Sequence, residues 1–388
     1  MRHPDQNRSG IQTPVATSQR VKLYWEGDEF FQDLIRDIGR ARISICLESY
    51  IFHSDQTGER VIQALLQAAR RGVRIRVLVD GVGSFPPWNL RRHFKSTTAA
   101  FRIFKPVGLL TAFKSGFHRR NHRKLILIDD SVAYTGGMNI GDELSQAVRG
   151  DRRWRDNMMR VEDGDFYLLK QSFDEIWTYA GKKSFGLMPR SRISRKYLRK
   201  LSPFSPHCPD IFFLSNHSRA LRRAQRHLLI QLIKRARDRI YIGSAYFIPA
   251  RSILWLLRRK AAQGVDVRII TAGRSDVWLA RQAGRSTYGR LLKHGIRIFE
   301  FKDRMFHAKM TIIDDRFMVG STNMDYRSFL HNLEVDAWVC RKDSVQAAVE
   351  QWHIDESESE RVHRMRWKKR SILEKLLEKI AFLLRFYL

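Results

Sequence analysis

Two stretches of this chain occur twice. ARRGVRIRVLVDG (69–81) aligns without a gap on AAQGVDVRIITAG (261–273), and HRKLILIDD (122–130) aligns on HAKMTIIDD (307–315). The period is several times the roughly 20–50 residues of solenoid repeats, so the chain is a duplicated domain and not an array. That limits the fold severely. A length of 388 residues gives two units of ordinary size, each with its own core. Two copies of one unit most simply pack as a pseudo-twofold pair, with any shared site at their junction.

The unit is legible from its periodicity. ISICLESYIF (43–52) is apolar and β-branched enough for a buried strand. GERVIQALLQAARRG (58–72) places Val61, Leu65, Ala68 and Ala69 at helical spacing and stops at Gly72, and RIRVLVDG (74–81) returns to strand. The second half repeats the rhythm, with helix then strand in 227–249 and helix, glycine stop and strand in 252–273. Strands alternating with helices predict βαβ units and an α/β fold, each half an α/β/α sandwich.

Composition suggests the boundaries. Residues 1–20 are polar and basic, lack the apolar centre of a secretory signal, and read as a flexible tail. The first unit is expected over 21–180, a basic Pro/Ser-containing linker over 181–216, the second unit over 217–355 and a basic amphipathic helix over 356–388. In that last segment apolar residues fall at 372, 373, 376, 377, 380, 384 and 387, with Lys and Arg on the other face. Such a stripe fits a helix lying on a membrane surface or one docked on the protein's own core. No apolar run of about 18 residues exists, which argues against a membrane-crossing helix. Cys46, Cys208 and Cys340 are far apart and form no CxxC pair, suggesting neither a disulfide framework nor a zinc site. Charge is the unusual feature: 71 Lys plus Arg against 40 Asp plus Glu gives a net +31. That excess favours a polyanionic partner, either nucleic acid or an anionic membrane.

Each half also carries His-x-Lys-x4-Asp: His122, Lys124 and Asp129, then His307, Lys309 and Asp314. On an extended chain residues i and i+2 share a face, so each His and Lys project together, whereas the Asp has the opposite parity. A glycine turn and an asparagine follow in both halves, Gly136-Gly137-Met138-Asn139 and Gly320-Ser321-Thr322-Asn323. Glycine permits close backbone approach to a ligand, and Asn139, Asn323 and Ser321 can donate to phosphate oxygens. One such match is weak evidence; two at equivalent places in a duplication are strong. Imidazole, with a pKa of about 6.5, serves near neutral pH as nucleophile or as acid. Two imidazoles with different roles need their pKa values split, which predicts a bell-shaped rate profile.

This doubled pattern resembles the phospholipase D superfamily, over nearly all of 21–340. The resemblance implies that one histidine attacks phosphorus to form a phosphohistidine and the other protonates the leaving alcohol. By motif His122 is the nucleophile and His307 the acid, although the near-symmetry allows the reverse. Lys124 and Lys309 would hold the non-bridging oxygens, and Asp129 and Asp314 complete the two motifs. No metal or cofactor is implied, because the lysines supply the positive charge. The resemblance also implies a carboxylate that orients each ring. Aligning RDNMM (155–159) with LEVDA (333–337) sets Asp156 over Glu334, each able to accept from a ring N–H and fix its tautomer. One departure is visible: Gly137 stands where the second half has Ser321, so a hydroxyl donor is missing.

Within the superfamily, Trp154-Arg155-Asp156, HRKLILID, GGMN and LESYIFHSDQTGERV are most similar to the bacterial cardiolipin synthases, in particular the B type without N-terminal transmembrane helices. That similarity implies transfer of a phosphatidyl group from one phosphatidylglycerol to the terminal hydroxyl of another, releasing glycerol. The implied partners are phosphatidylglycerol and an anionic membrane surface, at the cytoplasmic face of the bacterial inner membrane, with no specific nucleic acid. A phospholipase D hydrolase would use the same residues with water as acceptor. A nuclease or phosphodiesterase relative would explain the charge equally well but not the apolar C-terminal stripe. A non-catalytic peripheral membrane protein would have no need of two intact motifs. The apolar and basic segments within 82–118 fit a lipid entrance or ordinary loops.

Overall fold

The computed structural model describes residues 20–95, 97–107, 118–182, 191 and 209–386. The first half runs β1 (Arg20–Tyr24), α1 (Gly27–Arg40), β2 (Ser44–Ser49), α2 (Gln56–Arg70), β3 (Arg74–Asp80), α3 (Pro87–Phe94), β4 (Ala100–Phe104), β5 (Leu125–Ile128), β6 (Val132–Gly136), α4 (Gln146–Arg149), β7 (Met158–Glu162) and α5 (Tyr167–Ala180). The second runs β8 (Ile211–Ser215), α6 (Arg219–Arg235), β9 (Arg239–Ser244), α7 (Arg251–Ala262), β10 (Asp266–Ala272), α8 (Trp278–Leu292), β11 (Arg297–Phe301), β12 (Lys309–Ile313), β13 (Arg316–Gly320), α9 (Tyr326–Leu330), β14 (Val335–Val339) and α10 (Lys342–Ser357). It closes with β15 (Ser359–Arg361), α11 (Arg364–Lys368) and α12 (Ile372–Leu383).

The sheet orders are β1-β7-β6-β5-β2-β3-β4 and β15-β11-β10-β9-β12-β13-β14-β8. Reversed, the second order matches the first strand for strand, with β15 added at one edge. The duplication seen in the sequence is therefore a duplication of topology. In both halves a parallel trio (β2-β3-β4; β9-β10-β11) joins an antiparallel set through its first strand.

Strand parity assigns the layers. Ile45 and Leu47 of β2 and Ile126 and Ile128 of β5 pack with α1 and α2 in an outer core. Their neighbours Cys46, Leu125 and Leu127 face the other way, into a core that also holds Phe173, Ile176 and Trp177 of α5, Trp352 of α10, and Met310 and Ile312 of β12. A third core lies between the second sheet and α6, α7 and α8. Each half is an α/β/α sandwich, and the middle layer is shared. Gly72 and Gly264 both end their helices at positive φ (88° and 90°), the left-handed turn that glycine adopts without penalty.

Three boundaries differ from the composition-based ones. Ile211–Ser215, assigned to the linker, is a strand of the second sheet, paired antiparallel with β14. Composition hid it because basic and proline-rich text surrounds five residues. The second unit also runs past 355, because α10 continues to Ser357 and β15 adds to β11. Residues 356–388 are not one helix: only Ile372–Leu383 form the amphipathic element. The tail 1–19 and most of the linker lie outside the described residues. Among the described residues no helix is long and apolar enough to cross a membrane.

Helix α12 docks on α8, but not by its apolar stripe. Its buried residues are Glu378 and Ala381. Glu378 pairs with Arg370 and Arg285, and Arg370 stacks 3.3 Å above the Trp367 ring. The two readings of the stripe are thus divided between two faces of one helix: the polar side is docked, and the aliphatic side points outward.

Candidate active site

The His-x-Lys segments enter the sheets at the carboxyl ends of the parallel strands, where open α/β sheets place their sites. Lys309 pairs with Ser244, the last residue of β9, and Leu125 pairs with Glu48 near the end of β2. Both segments also bridge to the opposite half. His122 N–H donates to the Leu333 carbonyl and Leu333 N–H to that of Arg120, while His307 N–H donates to the Arg155 carbonyl and Arg155 N–H to that of Met305. These two short bridges sit directly beside the aligned carboxylates.

The carboxylates are consequently exchanged between halves. Asp156 of the first half stands 2.5 Å from Nδ1 of His307 in the second. Glu334 of the second stands 3.0 Å from Nδ1 of His122 in the first. The alignment of Asp156 with Glu334 identified the pair but not the crossing, which no spacing within one half encodes. The Ser321 carbonyl lies 3.2 Å from the same Nδ1 of His122. A carbonyl oxygen only accepts, so Nδ1 carries the proton and Nε2 presents its lone pair.

Every member of the cluster is buried: His122, Lys124, Asn139, Asp156, His307, Lys309, Ser321, Asn323 and Glu334. Lys124 Nζ donates to the His122 carbonyl at 2.9 Å and Lys309 Nζ to that of His307. An ammonium has three donors, so Lys124 keeps two for a ligand's oxygens. Asn139 accepts from Ile51 N–H at 3.3 Å, and the buried Oδ1 of Asn323 has no hydrogen-bond partner among the described residues.

Ser321 is placed differently from the phosphate-donor expectation. Its hydroxyl donates to Glu334 Oε2 at 2.5 Å, so it serves the orienting carboxylate. The missing hydroxyl at Gly137 has a steric cause: a Cβ there would meet Asp156 Oδ1 at 2.1 Å. Asp129 and Asp314 are also placed away from the chemistry, at the far ends of their strands. Asp129 accepts from the N–H groups of Arg42, Ile43 and Ser44 at 2.7–2.8 Å. Asp314 accepts from those of Arg237, Asp238 and Arg239 at 2.9–3.0 Å. Seven residues of extended chain put each about 20 Å from its histidine, so these carboxylates staple the fold and touch no reacting atom.

Electrostatics separates the two histidines. Burial, reinforced by Lys124 and Lys309, pushes His122 well below the ordinary histidine value, and the charge of His307 is also felt there, so both motifs form one electrostatic site. Burial pushes its partner Glu334 up to about 7, against the pull of Lys124 and the Ser321 hydroxyl. The His122–Glu334 pair therefore favours its uncharged form. Burial and Lys309 lower His307 as well, but Asp156 opposes them. Burial disfavours ionised Asp156, yet Lys309 and His307 outweigh it and hold the carboxyl below the usual range. Burial and Lys309 bring Lys124 down to about 7.

Several contributors have no motif of their own. Asn157 accepts from Lys309 N–H at 2.7 Å and donates to the Lys309 carbonyl at 3.2 Å, locking that strand across the interface. Asn216 accepts from Glu334 N–H at 2.7 Å. Tyr50 packs edge-on against His122 at 4.9 Å, and the Trp154 ring lies tilted against His307 at 5.1 Å. Only the place of Asn157, next to the aligned Asp156, offered a hint. Within 82–118, Val82, Phe85 and Trp88 are exposed, and 108–117 lie outside the described residues. Among the described residues, His53, Asp55 and Glu143 could gather about a cation. Both Asp55 oxygens, however, already accept backbone N–H groups, from Gly58 and Asp142.

Paired imidazoles and ammoniums on two pseudo-symmetric halves, with exchanged carboxylates, define a phosphotransferase site of the phospholipase D type. Known proteins agree. A family model described as cardiolipin synthase, PLD-like domain, matches residues 34–177 and 229–353. The chain therefore belongs to the PLD-like cardiolipin synthase family and is a phospholipase-D-type phosphatidyltransferase. It is 33% identical over 373 residues to cardiolipin synthase 1 of Bacillus cereus, spanning 94% of this chain and 72% of that protein. It is 32% identical to cardiolipin synthase of Listeria monocytogenes, spanning 95% and 76%. Among solved structures, phosphatidylserine synthase of Haemophilus influenzae Rd KW20 shares the fold at a TM-score of 0.70, with 14% identity over 95% of both chains.

Proposed function

We propose that this protein makes cardiolipin from two molecules of phosphatidylglycerol through a phosphohistidine on His122. Nε2 of neutral His122 attacks phosphorus, and the bond to the glycerol oxygen breaks as protonated His307 delivers its proton to that oxygen. Glycerol leaves. The terminal hydroxyl of a second phosphatidylglycerol gives its proton back to His307 as its oxygen attacks phosphorus, and the bond from phosphorus to Nε2 breaks, returning the electron pair to His122. Lys124 and Lys309 hold the non-bridging oxygens while charge builds on them. Burial of the whole cluster favours a lipid alcohol over water as acceptor.

The observation that carries this reading is the exchange of carboxylates, Asp156 onto His307 and Glu334 onto His122, which joins the two histidines in one site. Ionised Asp156 favours an imidazolium at His307, as an acid requires, whereas burial and the charges of Lys124 and Lys309 keep His122 neutral and its lone pair available. An anionic bilayer supplies the substrate and matches the net charge of +31. The test is purified protein with phosphatidylglycerol in mixed micelles, read by lipid mass analysis. Cardiolipin and glycerol in equal amounts are expected. Phosphatidic acid and glycerol without cardiolipin would make the protein a hydrolase, and inert lipid alongside cleaved DNA would make it a nuclease.

A further inference from the structure

The loops that follow β3 and β10 are equivalents in the duplication, and each leads into a helix whose first turn exposes a tryptophan. Trp88 of α3 is 53% exposed and Trp278 of α8 is 52% exposed. Phe85, also exposed, packs edge-on against Trp88 at 5.2 Å. Both loops border the active site. Gly83 lies so close over Tyr50 that a Cβ would stand 2.4 Å from the Tyr50 carbonyl oxygen, and Tyr50 packs on His122. On the other side Asp276 accepts from the Tyr246 hydroxyl at 2.5 Å, and its charge is felt at Lys309 and at Tyr50.

Helix α12 continues this surface. Ala381 packs with Ala280, Ala283 and Ile248, and Phe386 lies edge-on to Tyr326 at 4.8 Å. The end of α12 is thus beside the start of α8, where Trp278 stands. The outward side carries Ile372 (85% exposed), Leu373, Leu376, Leu377, Ile380 and Leu383 (71% exposed). At 3.6 residues per turn they spread over roughly 140° of the helix, and Glu378, Ala381 and Phe382 leave from the opposite side. A contiguous apolar face of this kind is rare on a protein surrounded only by water.

We infer that the face formed by Trp88, Trp278 and the aliphatic side of α12 enters an anionic bilayer, seating the active-site mouth at headgroup depth. Tryptophan favours that depth because one part of its ring is apolar and its N–H is polar. Charge selects the occupant. Residues 361–386 hold nine Lys or Arg against two Glu, and Arg91, Arg92 and Lys95 are exposed beside Trp88. A second copy of this chain would bring the same positive excess to the contact and be repelled, whereas phosphatidylglycerol headgroups are attracted. This inference rests on the lipid substrate proposed above, and its test keeps the two apart.

The full chain is sedimented with vesicles of phosphatidylcholine alone and of phosphatidylcholine with equimolar phosphatidylglycerol. Wild type is expected to pellet with the mixed vesicles, and Leu376→Glu/Leu383→Glu to lose about tenfold or more in binding. Turnover of short-chain phosphatidylglycerol dispersed in detergent should stay within about twofold, because both leucines point to solvent and not into the buried cluster. Brominated acyl chains in the vesicles should quench wild-type fluorescence, less so in Trp88→Phe and in Trp278→Phe. Unchanged pelleting of the glutamate variant would overturn the inference, as would equal quenching in all three proteins. A lipid-free dimer that the glutamate variant dissociates would assign the face to a second copy instead. Failure of wild type to turn over dispersed lipid would strike the substrate reading, while the vesicle result still stands on its own.

Discussion

Replacing each exchanged carboxylate by its amide tests the division of labour between the histidines. Asp156 stands 2.5 Å from His307 Nδ1, which puts the centres of carboxylate and imidazolium charge roughly 4 Å apart. At an effective dielectric constant of about 20 the attraction is about 4 kcal/mol. Asp156→Asn keeps the shape of the side chain, including the fit against Gly137, and removes that attraction. At about 1.4 kcal/mol per decade the expected fall in kcat is about a thousandfold. Glu334 is poised at about 7, so at pH 7 it carries about half a charge. Glu334→Gln then loses about half as much, roughly 2 kcal/mol or thirtyfold. The assay is single-turnover formation of cardiolipin, with circular dichroism confirming that both variants fold. Below pH 7 the Glu334→Gln deficit should shrink, because the wild-type carboxyl is then already neutral, and above pH 7 it should grow. A Glu334→Gln loss at pH 7 as large as that of Asp156→Asn would refute the reasoning, because the two pairs would then be equivalent.

Three further outcomes follow from the same geometry. Lys124 is buried with a pKa lowered from 10.5 to about 7, so Lys124→Met should abolish turnover yet raise stability, by at most roughly 3–5 kcal/mol at pH 6. Between about pH 7 and 10.5 the unfolded wild type binds more protons than the folded form, so its stability climbs and this gain should fade. Urea titrations at pH 6 and 9 read both effects, and a variant less stable than wild type at pH 6 would contradict them. On the alkaline side both His307, below the ordinary histidine value, and Lys124, at about 7, lose a proton the mechanism needs, so kcat/KM, which reports the free enzyme, should fall there more steeply than one proton allows. Lys124→Arg should reduce the slope to that of a single proton, since guanidinium keeps its own; an unchanged slope would remove Lys124 from this limb. Finally, Asp314→Ala removes the acceptor of three backbone N–H groups at a residue with φ of 51°. A loss of about 2–3 kcal/mol in stability, with unchanged kcat per folded molecule, is expected, whereas a large fall in kcat would return this residue to the chemistry.

Much of the molecule was legible in its sequence, for a reason that also marks where reading stops. Periods of 2 and 3.6 reported β2, α2, β3, α7 and β10, because each buries one side against a neighbour close in the chain. The duplication reported that the site has two like parts. Local pattern carries no record of partners across an interface. The exchange of Asp156 and Glu334, the clamp of Asn157 on Lys309 and the pairing of β8 with β14 were therefore invisible. The motif aspartates show a related limit, since recurrence marks Asp129 and Asp314 as important without saying whether for folding or for catalysis. For α12 the stripe was plain, but its direction was not. A buried Glu378 held by two arginines turned the aliphatic side outward, against the usual rule that the apolar face docks.

Rapid acid-free quenching of the enzyme a few milliseconds after mixing with phosphatidylglycerol, followed by digestion and peptide mass analysis, tests the central claim most directly. A phosphatidyl adduct on the peptide bearing His122, labile to acid and stable to alkali, is predicted, with none on the peptide bearing His307. An adduct on His307, or turnover in a single step with no adduct on either histidine, would contradict the account.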